Sequence, residues 1–89
     1  MAKLTQNFTL EEMERSGKAQ TYRIANKANK EQAANLKQLC QKVLQPLRNQ
    51  INAPIIVTSG FRCTKLNERV GGVVNSQHLL GEAADIVGI

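Results

Sequence analysis

The 89-residue chain is poor in aromatic residues, with no tryptophan, one tyrosine and two phenylalanines. Because proteins that bind single-stranded nucleic acid stack its bases on aromatic side chains, the sequence offers almost nothing for that mode of binding. It also lacks an apolar run near the roughly 20 residues that a membrane-spanning helix needs, and its first residues lack the apolar segment of a signal peptide. As written, the sequence therefore predicts a protein that has no membrane partner and stays in the cytoplasm.

Cysteine is scarce too, and the two that occur, Cys40 and Cys63, are far apart in the sequence. Without Cys-x-x-Cys spacing they indicate neither a redox motif nor a cysteine-based zinc site. We therefore expect two free thiols, with Cys40 packed in the interior.

Acidic residues are outnumbered by basic ones, seven to twelve, which gives a formal net charge of +5. A positive surface attracts anionic partners such as nucleic acid, anionic lipid or an acidic polymer. No nucleic-acid-binding motif accompanies the charge, so the simpler interpretation is a solvated basic surface. A small basic nucleic-acid-binding protein stays open as an alternative function.

The length and the composition, 42% hydrophobic and 21% charged, fit one small folded domain over residues 1–89. Its first part, residues 1–51, is predicted to be helical. Thr9 can cap a short helix, and Glu12 stands three residues later, as in a capping box. The polar stretch 17–30 that follows is predicted to be an ordered connection.

The main packing element is a predicted helix over residues 31–50, where apolar residues recur at three- and four-residue spacing. Asn29 is its candidate cap. Pro46 falls inside the pattern and removes one backbone hydrogen bond, which predicts a kink or a switch to a tighter turn just before it.

The second part, residues 52–89, is predicted to form strand, helix, loop and strand. Residues 55–58 form a β-branched run that predicts a strand buried on both faces. A helix over residues 62–70 should turn Leu66 and Val70 inward, and a second strand is predicted at residues 83–87. The fold class is therefore α+β, with a small antiparallel sheet packed against helices.

That sheet is expected to be incomplete, because two short strands rarely make an independently stable sheet. Its uncovered edge and the apolar residues Ile86, Val87 and Ile89 beside it predict that the chain associates with itself or with another strand.

The stretch from Ser76 to Asp85 carries the most chemistry. It places the single histidine, His78, in a loop and a carboxylate seven residues later at a strand, with Gly81 free to turn between them. Imidazole nitrogen and carboxylate oxygen are both zinc donors, although a catalytic zinc takes three protein ligands. From the residues alone, a surface histidine and an aspartate that caps a loop stay open, as does a Ser76 hydroxyl bonded to its own backbone.

The string Ser76-x-His78-x-x-Gly81-x-Ala83-x-Asp85 resembles the signature of zinc D-alanyl-D-alanine carboxypeptidases and of related phage endolysins. Further strings upstream are similar to this family in the same order, and the resemblance covers nearly the whole chain. They are Phe8-Thr9-Leu10-x-Glu12-Met13, Asn35-Leu36-x-x-Leu39, Val43-Leu44-x-Pro46-Leu47-Arg48, Val57-Thr58-Ser59-Gly60-Phe61-Arg62 and Leu66-Asn67-x-x-Val70-Gly71-Gly72.

The resemblance implies a zinc peptidase of the hedgehog-like α+β fold that cuts amide bonds of D-amino acids in peptidoglycan stem peptides. His78 and Asp85 would be two zinc ligands, and Arg62 and Ser76 would bind substrate. A guanidinium suits that role because it can fork onto a carboxylate or a developing oxyanion. The alternative for Arg62 is a structural ion pair with a nearby glutamate, Glu68 or Glu82.

The sequence departs from the family after Asp85. Members carry the general base and the third zinc ligand, a histidine, farther along, whereas this sequence ends at Ile89 and has no second histidine. The resemblance therefore implies a truncated peptidase domain with little activity alone. It is a piece of a longer peptidase, a remnant that binds cell-wall peptide without cutting it, or one part of a site that another chain completes.

Overall fold

The computed structural model describes residues 3–88, which form five α-helices, one π-helical turn, one 3₁₀ turn and two strands. In chain order these are α1 Leu10–Glu14, α2 Gly17–Thr21, α3 Lys30–Leu39, the π-helical turn Cys40–Leu44, α4 Gln45–Ile51, β1 Ile55–Ser59, α5 Thr64–Arg69, the 3₁₀ turn Gln77–Leu80 and β2 Asp85–Gly88. Within this described range, no helix is long and apolar enough to cross a bilayer.

The first helix begins with the predicted capping box. The Glu12 amide donates to Thr9 Oγ1 at 3.2 Å, and the Thr9 amide donates to Glu12 Oε1 at 3.4 Å. The prediction of an ordered connection over residues 17–30 missed the helix in its first part, because α2 forms there. Ser16 caps α2 by accepting from the Ala19 amide at 3.1 Å, and Ala19 itself is buried.

The long helix is confirmed, with Asn29 and Gln32 forming a second capping box at its start. A kink or a tighter turn was expected before Pro46. The helix is irregular at that place, but the tighter turn was wrong, because the backbone widens into a π-helical turn, in which the Gln45 amide donates to the Cys40 carbonyl. Pro46 has no N–H to donate, and its ring would press on the carbonyl four residues earlier. A wider turn at this point relieves that contact.

The core lies between the long helix, α1 and one face of the sheet. Its buried members are Phe8, Met13, Leu36, Cys40, Leu44, Ile55, Val57 and Phe61. The expectation of two free thiols is confirmed, with Cys40 fully buried and Cys63 half-buried. Burial raises the pKa of the Cys40 thiol from 9.0 to about 11, and the negative charge of Glu12 adds to the shift.

The two strands pair antiparallel, with Ile56 opposite Val87 and Ser59 opposite Asp85. This confirms the predicted α+β class with a small open sheet. The prediction that β1 is buried on both faces was wrong, because its residues alternate: Val57 is 5% exposed and Ile56 is 40% exposed. The core lies against one face of the pair, so side chains on the other face meet solvent.

Helix α5 is shorter than predicted, and only part of its expected inner face is buried. Leu66 is fully buried, whereas Val70 lies just beyond the helix and is 37% exposed, contrary to the prediction. Gly71 follows in the left-handed region with φ of 75°. The chain turns at Gly71, and Val70 stays outside the core.

The uncovered sheet edge and the self-association predicted from it stay predictions. Val87 is 49% exposed and Ile86 is half-buried against the core. Ile89, the third residue of that prediction, lies outside the described residues.

Candidate metal and substrate site

The site is built around the turn that follows β1, residues Gly60 to Cys63. The backbone of Met13, near the end of α1, presses directly on Gly60: a Cβ added at Gly60 would lie 2.4 Å from the Met13 carbonyl oxygen. The same oxygen accepts from the Phe61 amide at 2.8 Å. Only glycine permits this close approach, which holds the turn against α1.

His78 lies on the 3₁₀ turn, which helix α3 holds in place. Two α3 side chains donate to its backbone: Gln32 Nε2 to the Leu79 carbonyl at 3.1 Å and Asn35 Nδ2 to the Leu80 carbonyl at 2.8 Å. Ser76 caps the turn by accepting from the His78 amide at 3.2 Å. The backbone around His78 is therefore fixed from both sides.

The imidazole of His78 is oriented by the carbonyl of Gly60, which lies 2.7 Å from its Nδ1. A carbonyl can only accept, so Nδ1 carries the proton, and in the neutral ring Nε2 keeps its lone pair. The His78 side chain is 13% exposed. In metal sites, one ring nitrogen of a histidine usually binds the metal, and the N–H of the other nitrogen donates to a carbonyl or carboxylate that fixes the ring.

Asp85 is the first residue of β2, and it brings a carboxylate to the free nitrogen of His78. Its Oδ2 lies 3.7 Å from Nε2, and its side chain is 68% exposed. Gly81, with φ of 76°, makes the bend that allows this. A Cβ on Gly81 would lie 2.5 Å from the Gln32 carbonyl oxygen, so the bend also packs tightly on α3.

The spacing of these two donors is compatible with a long ion pair and with two ligands of one zinc ion. At 3.7 Å, Nε2 and Oδ2 are too far apart for a hydrogen bond. Two donors on a tetrahedral zinc, each about 2.1 Å from it, are about 3.4 Å apart. Within residues 3–88, however, no group of three or more histidine, cysteine or acidic side chains is placed to hold a metal.

Arg62 and Ser76, the predicted substrate residues, lie together beside His78. Arg62 Nη2 donates to Ser76 Oγ at 3.3 Å, and the Arg62 amide donates to the His78 carbonyl at 3.1 Å. Arg62 Nε is buried without a hydrogen-bond partner among the described residues. The alternative ion pair with Glu68 or Glu82 does not form within that same range.

Arg62 also lines an open groove of about 440 Å³ between α2 and the end of β1. Lys18 lines the same groove, as do the hydroxyl-bearing Thr58 and Ser59. None of the residues that line it is acidic. The groove therefore offers two cations and several hydroxyls to an anionic or carbonyl-rich ligand.

Sequence reasoning missed the residues that orient the site. Gly60 was noted only as part of a motif, yet its carbonyl sets the His78 ring. Asn35 was also noted only as part of a motif, and Gln32 and Asn26 lie outside the quoted motifs, yet the side-chain amides of all three bind backbone of the site loops. No local pattern marks such contacts, since the residues that they join are 18 to 47 positions apart.

Comparison with known proteins gives two matches. The family model described as Peptidase M15 matches residues 6–89. A stretch of 44 residues is 46% identical to the zinc D-Ala-D-Ala carboxypeptidase of Streptomyces albus G, covering 48% of this chain and 17% of that protein. No solved structure matches the chain significantly. The resemblance predicted from the motifs is confirmed.

Proposed function

The chain belongs to the Peptidase M15 family, and we propose that it carries part of a zinc site directed at peptidoglycan stem peptides. His78 and Asp85 would be two of the protein ligands, and Arg62 and Ser76 would bind substrate. The observation that carries the proposal is the approach of Nε2 to Oδ2 at 3.7 Å, with Nδ1 occupied by the Gly60 carbonyl. Zinc in such a site supplies a Lewis acid for amide hydrolysis.

Arg62 has the geometry for a substrate carboxylate or for the oxyanion of a cleaved amide. Ser76 Oγ holds one end of the guanidinium, so that less side-chain freedom is lost when a ligand binds. The remaining N–H groups can fork onto two oxygens. The groove lined by Arg62 and Lys18 would then hold the acidic or carbonyl-rich part of the peptide.

The proposal covers a site, not a complete enzyme. The matched stretch spans 17% of the curated relative, so the activity of that whole protein is itself a proposal for this chain. The third zinc ligand and a general base would come from outside the described residues. Because a general base alone contributes roughly 100- to 10,000-fold, we expect residues 3–88 to hydrolyse peptides slowly if at all.

A second candidate is a module that binds cell-wall peptide without cutting it. It is favoured by the two-donor site, since the described residues bring only His78 and Asp85 together. The Arg62 groove would serve this function unchanged.

Zinc titration by calorimetry tests the metal site. We expect His78→Ala and Asp85→Asn each to weaken zinc binding at least tenfold, because each removes one donor. Glu82→Gln is the matched control: it removes an exposed carboxylate three residues from Asp85 and should leave the affinity unchanged. If His78→Ala binds zinc as tightly as the original chain does, the proposed site is wrong.

Sedimentation with purified peptidoglycan at physiological salt tests the substrate side. The chain should co-sediment, and Arg62→Ala should lower the bound fraction severalfold. Arg48→Ala removes the same charge from α4, away from the groove, and serves as the control. If the bound fraction falls equally in both variants, net charge and not the Arg62 groove binds the wall. Cleavage products in the same samples would separate a peptidase from a binding module.

A further inference from the structure

Asn26 is a buried residue whose side-chain nitrogen and oxygen both form hydrogen bonds with backbone groups. It is 6% exposed, although it lies in a polar stretch between α2 and α3. Its Nδ2 donates to the Glu14 carbonyl and to the Phe61 carbonyl, each at 2.8 Å, and its Oδ1 accepts from the Cys63 amide at 2.7 Å. These partners also settle the orientation of the amide, because carbonyls can only accept and an amide N–H can only donate.

Two of these three bonds bind the backbone on either side of Arg62. Asn26 thus closes the turn from Phe61 to Cys63, while its third bond ties the turn to the end of α1. The neighbouring Glu14 side chain fixes the same segment from the other side, because its Oε2 accepts from the Ala28 amide at 2.7 Å. The bonds to Glu14 therefore fix the position of Asn26, and Asn26 in turn fixes the turn.

Arg62, inside the turn that Asn26 closes, and Gly60, directly before it, each make one backbone contact to His78. The Gly60 carbonyl meets Nδ1 of the ring at 2.7 Å, and the Arg62 amide donates to the His78 carbonyl at 3.1 Å. A displaced turn would lose both contacts together, and the ring would lose the partner that fixes its tautomer.

We propose that Asn26 is a positioning residue: by holding the turn from Phe61 to Cys63, it sets the tautomer of His78 and the direction of Arg62. The meaning of this role for zinc and peptide binding rests on the function proposed above. The tautomer of His78 does not, so it can be measured whether or not the chain binds zinc.

Nitrogen-15 NMR of the imidazole is a direct test, since the chain has one histidine and its ring signals need no further assignment. Spectra would be recorded at about pH 8.5, well above the range in which imidazole ordinarily takes up a proton. Asn26→Asp keeps the oxygen for the Cys63 amide but loses both donated bonds. Asn26→Ser is smaller and introduces no charge into this buried position.

Gln45→Glu is the matched control. It makes the same amide-to-carboxylate change at a residue whose side chain ties α4 to Thr5 and Asn7, away from the site. Folding of every variant would be checked by circular dichroism, and zinc affinity would be measured in parallel by calorimetry.

We expect the original chain to hold His78 mainly in the Nδ1–H form, and a folded Asn26 variant to shift it toward the Nε2–H form. Zinc affinity should fall about 3- to 10-fold, less than for direct partners of a ligand, because Asn26 acts through the turn. Gln45→Glu should change neither quantity. If the original chain binds no zinc but the tautomer shifts, the proposed function fails and the role of Asn26 stands.

The proposal is overturned if a folded Asn26 variant keeps the tautomer of the original chain, or if Gln45→Glu shifts it equally. It is also overturned if neither Asn26 variant folds, because Asn26 would then be needed for the fold as a whole and not for the site.

Discussion

Replacing Gly60 by alanine should destabilise the protein by about 2 to 4 kcal/mol. The added Cβ would lie 2.4 Å from the carbonyl oxygen of Met13, closer than such atoms are found in proteins. The obstacle is backbone, in a residue that is fully buried, and it cannot swing aside as a flexible side chain could. Either the end of α1 or the turn after β1 has to move.

The magnitude follows from the size of that movement. Reaching an ordinary van der Waals contact of 3.4 Å requires a shift of about 1 Å. The 2.8 Å bond from the Phe61 amide to the same Met13 oxygen would lengthen beyond hydrogen-bond range. Overpacking of a core costs about 1 to 3 kcal/mol and a lost hydrogen bond about 1 kcal/mol.

Urea unfolding followed by circular dichroism measures this loss, and a thermal scan should show Tm lowered by at least about 8 °C. Gly17→Ala is the control, because an added Cβ there meets nothing within 4 Å and lies in helix α2. That variant should be unchanged or up to about 1 kcal/mol more stable. A Gly60→Ala protein within about 0.5 kcal/mol of the original would refute the close approach of α1 to the turn.

Three further predictions concern the bend, the buried thiol and the sheet edge. Gly81→Ala should cost at least about 2 kcal/mol in urea unfolding, since alanine is strained at φ of 76° and its Cβ would lie 2.5 Å from the Gln32 carbonyl; a neutral result would contradict the bend. Because burial raises the pKa of Cys40 to about 11, the folded protein keeps a proton that the unfolded chain releases above about pH 9, and stability should fall between pH 9 and 11. Cys40→Ala should lack this part of the loss, roughly 3 kcal/mol, and an identical pH dependence in both proteins would contradict the prediction. If the sheet edge mediates self-association, Val87→Lys should reduce the dimer fraction in analytical ultracentrifugation, whereas a chain that is monomeric without the substitution would end that hypothesis.

Local sequence signals predicted most of the secondary structure. The capping residues Thr9 and Asn29 marked helix starts correctly, because a cap is a contact between residues three apart. Pro46 marked the irregular turn of the long helix, although not its direction. Whether the backbone tightens or widens before a proline depends on what packs around it, and that information is not local.

The buried or exposed state of the second half was predicted less well. Residues 55–58 were expected to be buried on both faces, yet Ile56 is exposed because the core covers only one face of the sheet. A β-branched run has the same appearance in either setting. Val70 was misplaced for a similar reason, since the end of α5 could not be located to within one residue.

The sequence by itself determined the family and the α+β class, because motifs and spacings are properties of neighbouring positions. Only the tertiary structure decided that His78 and Asp85 lie 3.7 Å apart, that Gly60 and Arg62 contact the histidine, and that Asn26 holds their turn. These contacts join residues up to 37 positions apart. Their distances depend on how helix and strand pack in three dimensions, which no local pattern records.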